Sequence, residues 1–148
     1  MEQLPAFLQQ AHYTSIAFSV SKTQHLVVQA KVNGVKGRFI LDTGASNSCL
    51  GFDSVAKFQL ETQHSATKAS GAGATGMFTE QSLDNLLQIG RWKQPNFPFV
   101  VFDLTHVNSA LAQYNVKAVD GIIGADVLLL GNAIIDYANY KLYLKKGV

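Results

Sequence analysis

Residues 39–51 read FILDTGASNSCLG: an apolar run stops at one carboxylate, Asp42, and small residues follow. Upstream, Leu26, Val28, Ala30 and Val32 recur at every second position, the period of a strand burying one face. Asn33-Gly34 then supplies a turn that tolerates positive φ, and Val35, Gly37, Phe39 and Leu41 continue the alternation in the returning strand. A hairpin therefore delivers the chain to Asp42. Beyond it, Thr43, Gly44, Ala45 and Ser46 place nothing bulky in the way of another backbone approaching the carboxylate. The plain structural reading is an Asx-type turn after a strand. A match to Asp-Ser/Thr-Gly-Ala/Ser arises by composition in about one chain per hundred of this length.

The remaining patterns are mostly β. Ile16, Phe18 and Val20 alternate, Leu83–Ile89 and Phe97–Leu104 read as strands with GRWKQPN as the turn between them, and the glycine-rich SGAGATG (70–76) reads as an exposed loop tip. Asp53 is positioned to cap a short helix through Leu60, and Val107–Tyr114 carries a weaker helical pattern. The segment VDGIIGADVLLLGNAIIDYANYKLYL predicts a buried strand into Ile123 and a short helix over Asp126–Leu130. A closing hairpin of Ala133–Tyr137 and Tyr140–Leu144 follows, turned at Ala138-Asn139. The expected fold is mainly β, a barrel-like domain with two or three short helices spanning residues 15–148; residues 1–14 carry no readable pattern and stand as a tail, an added strand or a propeptide remnant.

With 148 residues, 47% of them apolar, and a net charge of +2, the chain is expected to be one globular domain. The Lys and Arg residues are scattered apart from Lys145-Lys146, so no nucleic-acid partner is expected. No run is long enough to span a bilayer, and Met1–Tyr13 lacks the continuous apolar core of a signal peptide; a soluble protein, cytoplasmic by default, is the expectation. Gly71-x-Gly73-x-x-Gly76 matches a dinucleotide-binding spacing, but ETQHSATKAS before it is no buried strand, and a hairpin tip is the better reading. Cys49 reads as a small semi-buried thiol, since no local signature brings one of the histidines, His12, His25, His64 and His106, to it. The same histidines are too dispersed for a zinc site. Asp103, Asp120, Asp126 and Asp136 follow strands or open helices and default to structural roles.

About 80 residues after Asp42, Ile122-Ile123-Gly124 repeats the apolar-to-glycine step of Leu41 to Gly44. The pairing of ILDTGAS with GIIGAD resembles the retropepsin-like aspartic peptidases, over roughly residues 25 to 145, and the terminal IIDYANYKLYL is similar to the hairpin of cellular and bacterial members. The resemblance implies a closed acid-protease-like β-barrel, one lobe per chain. It implies that Asp42 is catalytic, that Thr43 hydrogen-bonds across to a partner subunit, and that Gly44, Ala45 and Ser46 line the cleft. Ile122, Ile123 and Gly124 would support the Asp loop from below, and Gly71, Ala72, Gly73 and Ala74 would belong to a flap over the substrate. Where retroviral members carry an Asp and an Arg that form an ion pair, this chain has Ser46 and Ala125; both partners are missing together, so no orphan charge results.

Aspartic peptide hydrolysis needs two carboxyls sharing one proton, the pairing for which aspartic peptidases are the standard example. The equivalent place in the second half is read as Ile122, which cannot titrate, so the second carboxylate must come from another copy across a two-fold axis. The expected activity is that of a homodimeric aspartic endopeptidase acting on extended peptides, with no metal or organic cofactor. The alternative is a catalytically silent dimeric domain that uses the same cleft to bind peptides or protein partners. A cysteine-dependent enzyme built on Cys49 is the third possibility.

Overall fold

The computed structural model describes residues 3–64, 69–71 and 74–147, with side chains described outside 65–77. In chain order the elements are α1 (Gln3–Gln10), β1 (Tyr13–Ala17), β2 (Ser19–Val20), β3 (Leu26–Val32), β4 (Val35–Leu41), β5 (Cys49–Gly51), a 3-10 turn at Phe52–Ser54, β6 (Gln63–His64), β7 (Ala69–Gly71), β8 (Ala74–Met77), β9 (Glu80–Ile89) and β10 (Trp92–Phe102). They continue with α2 (Thr105–Gln113), β11 (Gly121–Ile123), α3 (Ala125–Leu130), β12 (Ile134–Asp136) and β13 (Lys141–Lys145).

The central hairpin forms as its alternation predicts: β3 and β4 pair from Leu26 opposite Leu41 to Val32 opposite Val35. Asn33 and Gly34 take φ of 52° and 84°, the left-handed conformations a two-residue hairpin turn requires. From β4 the sheet runs through β11, β5, β10 and β9, and β9 pairs back onto β3, which closes the barrel. Two of its pairings are parallel, β5 with β10 and β4 with β11, and β11 is inserted parallel to β4 and antiparallel to β5.

Coverage of both faces of β4 explains why Phe39-Ile40-Leu41 is a continuous apolar run. Phe39 and Leu41 point into the barrel core with Val28, Leu87 and Ile123, whereas Ile40 joins Cys49, Phe102, Leu111 and Ile122 in a second cluster outside it, where α2 contributes Leu111. A strand covered on both faces has no solvent side to alternate toward. Each large side chain buried this way contributes roughly 1.5–3 kcal/mol.

Several sequence expectations change. Residues 90–96 are not a turn: only Gly90-Arg91 separates β9 from β10, and Pro95 sits where the register shifts between Gln94 and Phe97, a bulge that spares it a ladder hydrogen bond. Asp53 caps no helix; it lies inside the 3-10 turn, whose preceding residue is Gly51 and which has no side-chain cap. The stretch 70–76 is not all loop, because Ala69–Gly71 and Ala74–Met77 pair as an antiparallel ladder, with Gly71 opposite Ala74; Ala72 and Gly73 lie outside the described residues. Within residues 1–14, Gln3–Gln10 form a helix with Leu8 buried, and Tyr13 and Thr14 open β1. This strand pairs antiparallel with β13, and β12 completes the second, three-stranded sheet. No helix among the described residues is long and apolar enough to cross a membrane.

Candidate active site

The loop after β4 is built by backbone contacts that only small residues permit. Asp42 N–H donates to the Ile123 carbonyl (2.9 Å), and Ala45 N–H donates back to the Asp42 carbonyl (3.2 Å). Gly44 N–H donates to Asp42 Oδ1 at 2.8 Å, which aims one carboxylate oxygen into the loop and leaves the other outward. The structural Asx turn expected of this segment is therefore present, and it orients the carboxylate. Asp42, Thr43, Gly44 and Ser46 are exposed and Ala45 is half-buried, directly above the fully buried β5. Among the described residues the Thr43 hydroxyl has no hydrogen-bond partner within the chain.

The second half meets this loop from below. Ile123 pairs with Leu41, and Ala125 N–H donates to the Ala45 carbonyl at 2.7 Å. A Cβ on Gly124 would lie 2.6 Å from that same carbonyl oxygen, so glycine is required for the crossing to close. The register corrects one expectation. Ile122 lies beside Ile40, two residues before Asp42, and its side chain is buried in the outer cluster. The position level with Asp42, one step beyond the Ile123–Leu41 pair, is Gly124, which also cannot titrate.

Sequence reasoning missed the polar link that holds these two segments. Ser48 Oγ donates to Asp126 Oδ1 (2.6 Å) and Ser48 N–H to Asp126 Oδ2 (2.9 Å), while buried Ser48 Oγ accepts from Gly124 N–H (2.8 Å). Asp126 also accepts from Val127 N–H (2.8 Å). Ser46 and Ala125 carry no charge, yet Ser48, two residues after the first, and Asp126, directly after the second, tie the Asp loop to α3 with a single carboxylate. A polar residue directly after Gly124-Ala125 was the available signal. Ser48→Ala is expected to cost about 2–3 kcal/mol, because Gly124 N–H loses its acceptor in a buried place. Urea unfolding of the variant against wild type measures it.

The other acids serve the scaffold. Asp120 accepts from Arg38 N–H (2.9 Å), Ser54 Oγ (3.0 Å) and Lys57 Nζ (2.9 Å), pinning the 3-10 turn to β4. Asp103 accepts from the Thr105 hydroxyl and N–H, and Asp136 from the Asn139 side chain and N–H. These hydrogen bonds favour the charged form and hold both carboxyls below the ordinary Asp value.

Cys49 is fully buried rather than half-buried, and burial pushes its thiol up to about 12. A thiol held neutral is no nucleophile. In the folded protein Cys49 is expected to resist a thiol reagent at pH 8 and to react only at the rate of unfolding; rapid labelling without denaturant would contradict this. The described residues contain no group of His, Cys, Asp and Glu able to hold a metal ion.

Residues 28–127 match the family described as aspartyl protease, a span that includes both the Asp42 loop and Gly124. No curated protein sequence matches the chain. Among solved structures the fold is similar to a retropepsin-like aspartic protease from Rickettsia conorii, at 19% identity and TM-score 0.59, covering 90% of this chain and 92% of that one. It is also similar to EIAV protease complexed with the inhibitor HBY-793 (16%, TM-score 0.55, 75% and 91%). A third likeness is to the retroviral protease-like domain of Ddi1 from Leishmania major (20%, TM-score 0.52, 83% and 96%).

Proposed function

Since the chain belongs to the aspartyl protease family, and its fold is retropepsin-like, we propose that it is an endopeptidase whose active site assembles from two copies of Asp42 across a homodimer two-fold. The observation that carries this reading is the placement of Asp42. It is a lone exposed carboxylate on a loop whose base is buried, and the facing position of the second segment is a glycine. The one chain supplies one carboxyl; a symmetry mate supplies the other.

In the dimer one carboxylate accepts a proton from water as the water oxygen attacks the scissile carbonyl carbon. The other carboxyl, protonated, donates to the carbonyl oxygen, giving a neutral gem-diol. Proton transfer to the peptide nitrogen then lets the C–N bond break, releasing a carboxylic acid and an amine. Gly44 N–H keeps each Asp42 oriented through Oδ1. Thr43, whose hydroxyl has no partner among the described residues, is assigned the cross-subunit hydrogen bond. Gly44, Ala45 and Ser46 are assigned to the cleft, and Gly71, Ala72, Gly73 and Ala74 to the flap. Ile123 and Gly124 support the loop directly, and Ile122 supports it through the outer cluster. An extended peptide would be held by strand-like backbone hydrogen bonds. Residues 15–148 form the peptidase domain in this reading, with Tyr13 and Thr14 entering its terminal sheet.

The test pairs sedimentation with mass-spectrometric mapping of peptides cut from an unfolded protein. A dimer that cuts, with activity lost on dilution to monomer, supports the assignment. A stable dimer that binds peptides and cuts none would leave a binding domain, and activity from a monomer would overturn the shared site.

A further inference from the structure

The outer edge of β3 is covered at both ends but not in the middle. β2 pairs with Leu26 and Val27, β9 pairs with Lys31 and Val32, and Gln29 falls between the two. A groove of about 630 Å³ opens there, within the ~300–1,000 Å³ range of small-molecule sites. Lys31, Lys36, Arg38, Gln29 and Gln88 line it over a floor that includes Val27, and no acidic residue lines it. The hairpin register gathers these side chains: Lys31 stands opposite Lys36, and Gln29 opposite Arg38.

Two features of the groove are unfavourable in the empty protein. Like charges directly opposite on neighbouring strands repel, and among the described residues none of the three cations forms an ion pair. Arg38 Nε is buried with no hydrogen-bond acceptor among the described residues, which leaves a charged donor desolvated and unpaired there. A single multivalent anion would relieve both. The planar guanidinium fork matches phosphate oxygens, and the lysines add compact charge around it. A monocarboxylate would leave most of the positive charge uncompensated.

We propose that this groove binds a small molecule bearing a phosphomonoester, with the phosphate against Arg38, Lys31 and Lys36 and an apolar body over Val27. The proposal is independent of the peptidase reading.

Calorimetric titration of the full chain at low salt with inorganic phosphate, phenyl phosphate and benzoate tests it. Phenyl phosphate is expected to bind at one site per chain, at least ~10-fold more tightly than benzoate and more tightly than inorganic phosphate, weakening as salt is added. Arg38→Gln should weaken it by ~10-fold or more, as should the combined Lys31→Gln and Lys36→Gln change on exposed side chains, while Asp42→Asn leaves it unchanged. The double lysine variant keeps the test valid should Arg38→Gln unfold. Absence of saturable binding of phenyl phosphate by wild type, equal affinity for benzoate, or indifference to the lysine changes in a folded variant overturns the proposal. Equal affinity for inorganic phosphate would overturn its apolar component.

Discussion

Asp42→Asn is expected to lower kcat/KM for peptide cleavage by at least ~10³-fold while leaving dimer and unfolding midpoint unchanged. The substitution keeps the shape and an oxygen able to accept from Gly44 N–H, so the loop geometry survives. What it removes is the shared proton. In the variant dimer neither side can take a proton from water, and general acid–base assistance of this kind is typically worth ~10²–10⁴-fold per group. Wild type should show a bell-shaped dependence of kcat/KM on pH, because one carboxyl must be charged and its neighbour neutral, and both limbs belong to the pair. Mixing wild-type and variant protomers adds a check: heterodimers should be inactive, so activity falls faster than the wild-type fraction. Retained cleavage by pure Asp42→Asn protein would remove Asp42 from the mechanism. Activity strictly proportional to the wild-type fraction would show that each chain works alone.

Gly121→Ala is expected to destabilise the fold by ~3–5 kcal/mol, a large part of the total stability of a domain this size. Gly121 lies in β11 between β4 and β5, opposite Phe39 on one side and Leu50 on the other. An added Cβ would stand 2.1 Å from the Cys49 carbonyl oxygen and 3.0 Å from both the Phe39 ring and a Leu50 methyl. The oxygen is backbone in the ladder that holds β11, so relief requires breaking that ladder rather than turning a side chain. Urea unfolding should show a large drop in midpoint, or no cooperative transition. Gly147→Ala, with nothing near its added methyl, is the neutral control. A change under ~1 kcal/mol at Gly121 would mean that β11 is not clamped between its neighbours.

Much of the site is legible in the residues themselves. Asn33-Gly34 needs its left-handed turn whatever surrounds it, and the alternation on either side places Asp42 at a strand end. Asp42-Thr43-Gly44 and Ile122-Ile123-Gly124 share an apolar-to-glycine step that the sequence displays, and the crossing gives the reason for the second glycine, whose added Cβ would meet the Ala45 carbonyl. The observed register sets Gly124 rather than Ile122 level with Asp42, a two-residue difference, since it is fixed by hydrogen bonds between backbones that carry no side-chain signature. Ser48 and Asp126 were unremarkable for a related reason: each looks like an ordinary loop or helix-start residue until the crossing brings Ser48 Oγ within 2.6 Å of Asp126. Pro95 argued for a turn, and a bulge absorbed it.

The sequence by itself determined the local elements and the single Asp-Thr-Gly carboxylate from which the proposed dimer is argued, because turn chemistry, side-chain period and titratable groups act within a few residues. Tertiary structure decided which strands meet. It slid β11 between β4 and β5, paired β1 with β13 from the far end of the chain, and left the middle of β3's outer edge open beside the cations of its own hairpin. Strand pairing over long separations uses peptide groups common to every residue, so its partners are chosen by the closing of the barrel and the burial of both faces of β4, which no single segment encodes.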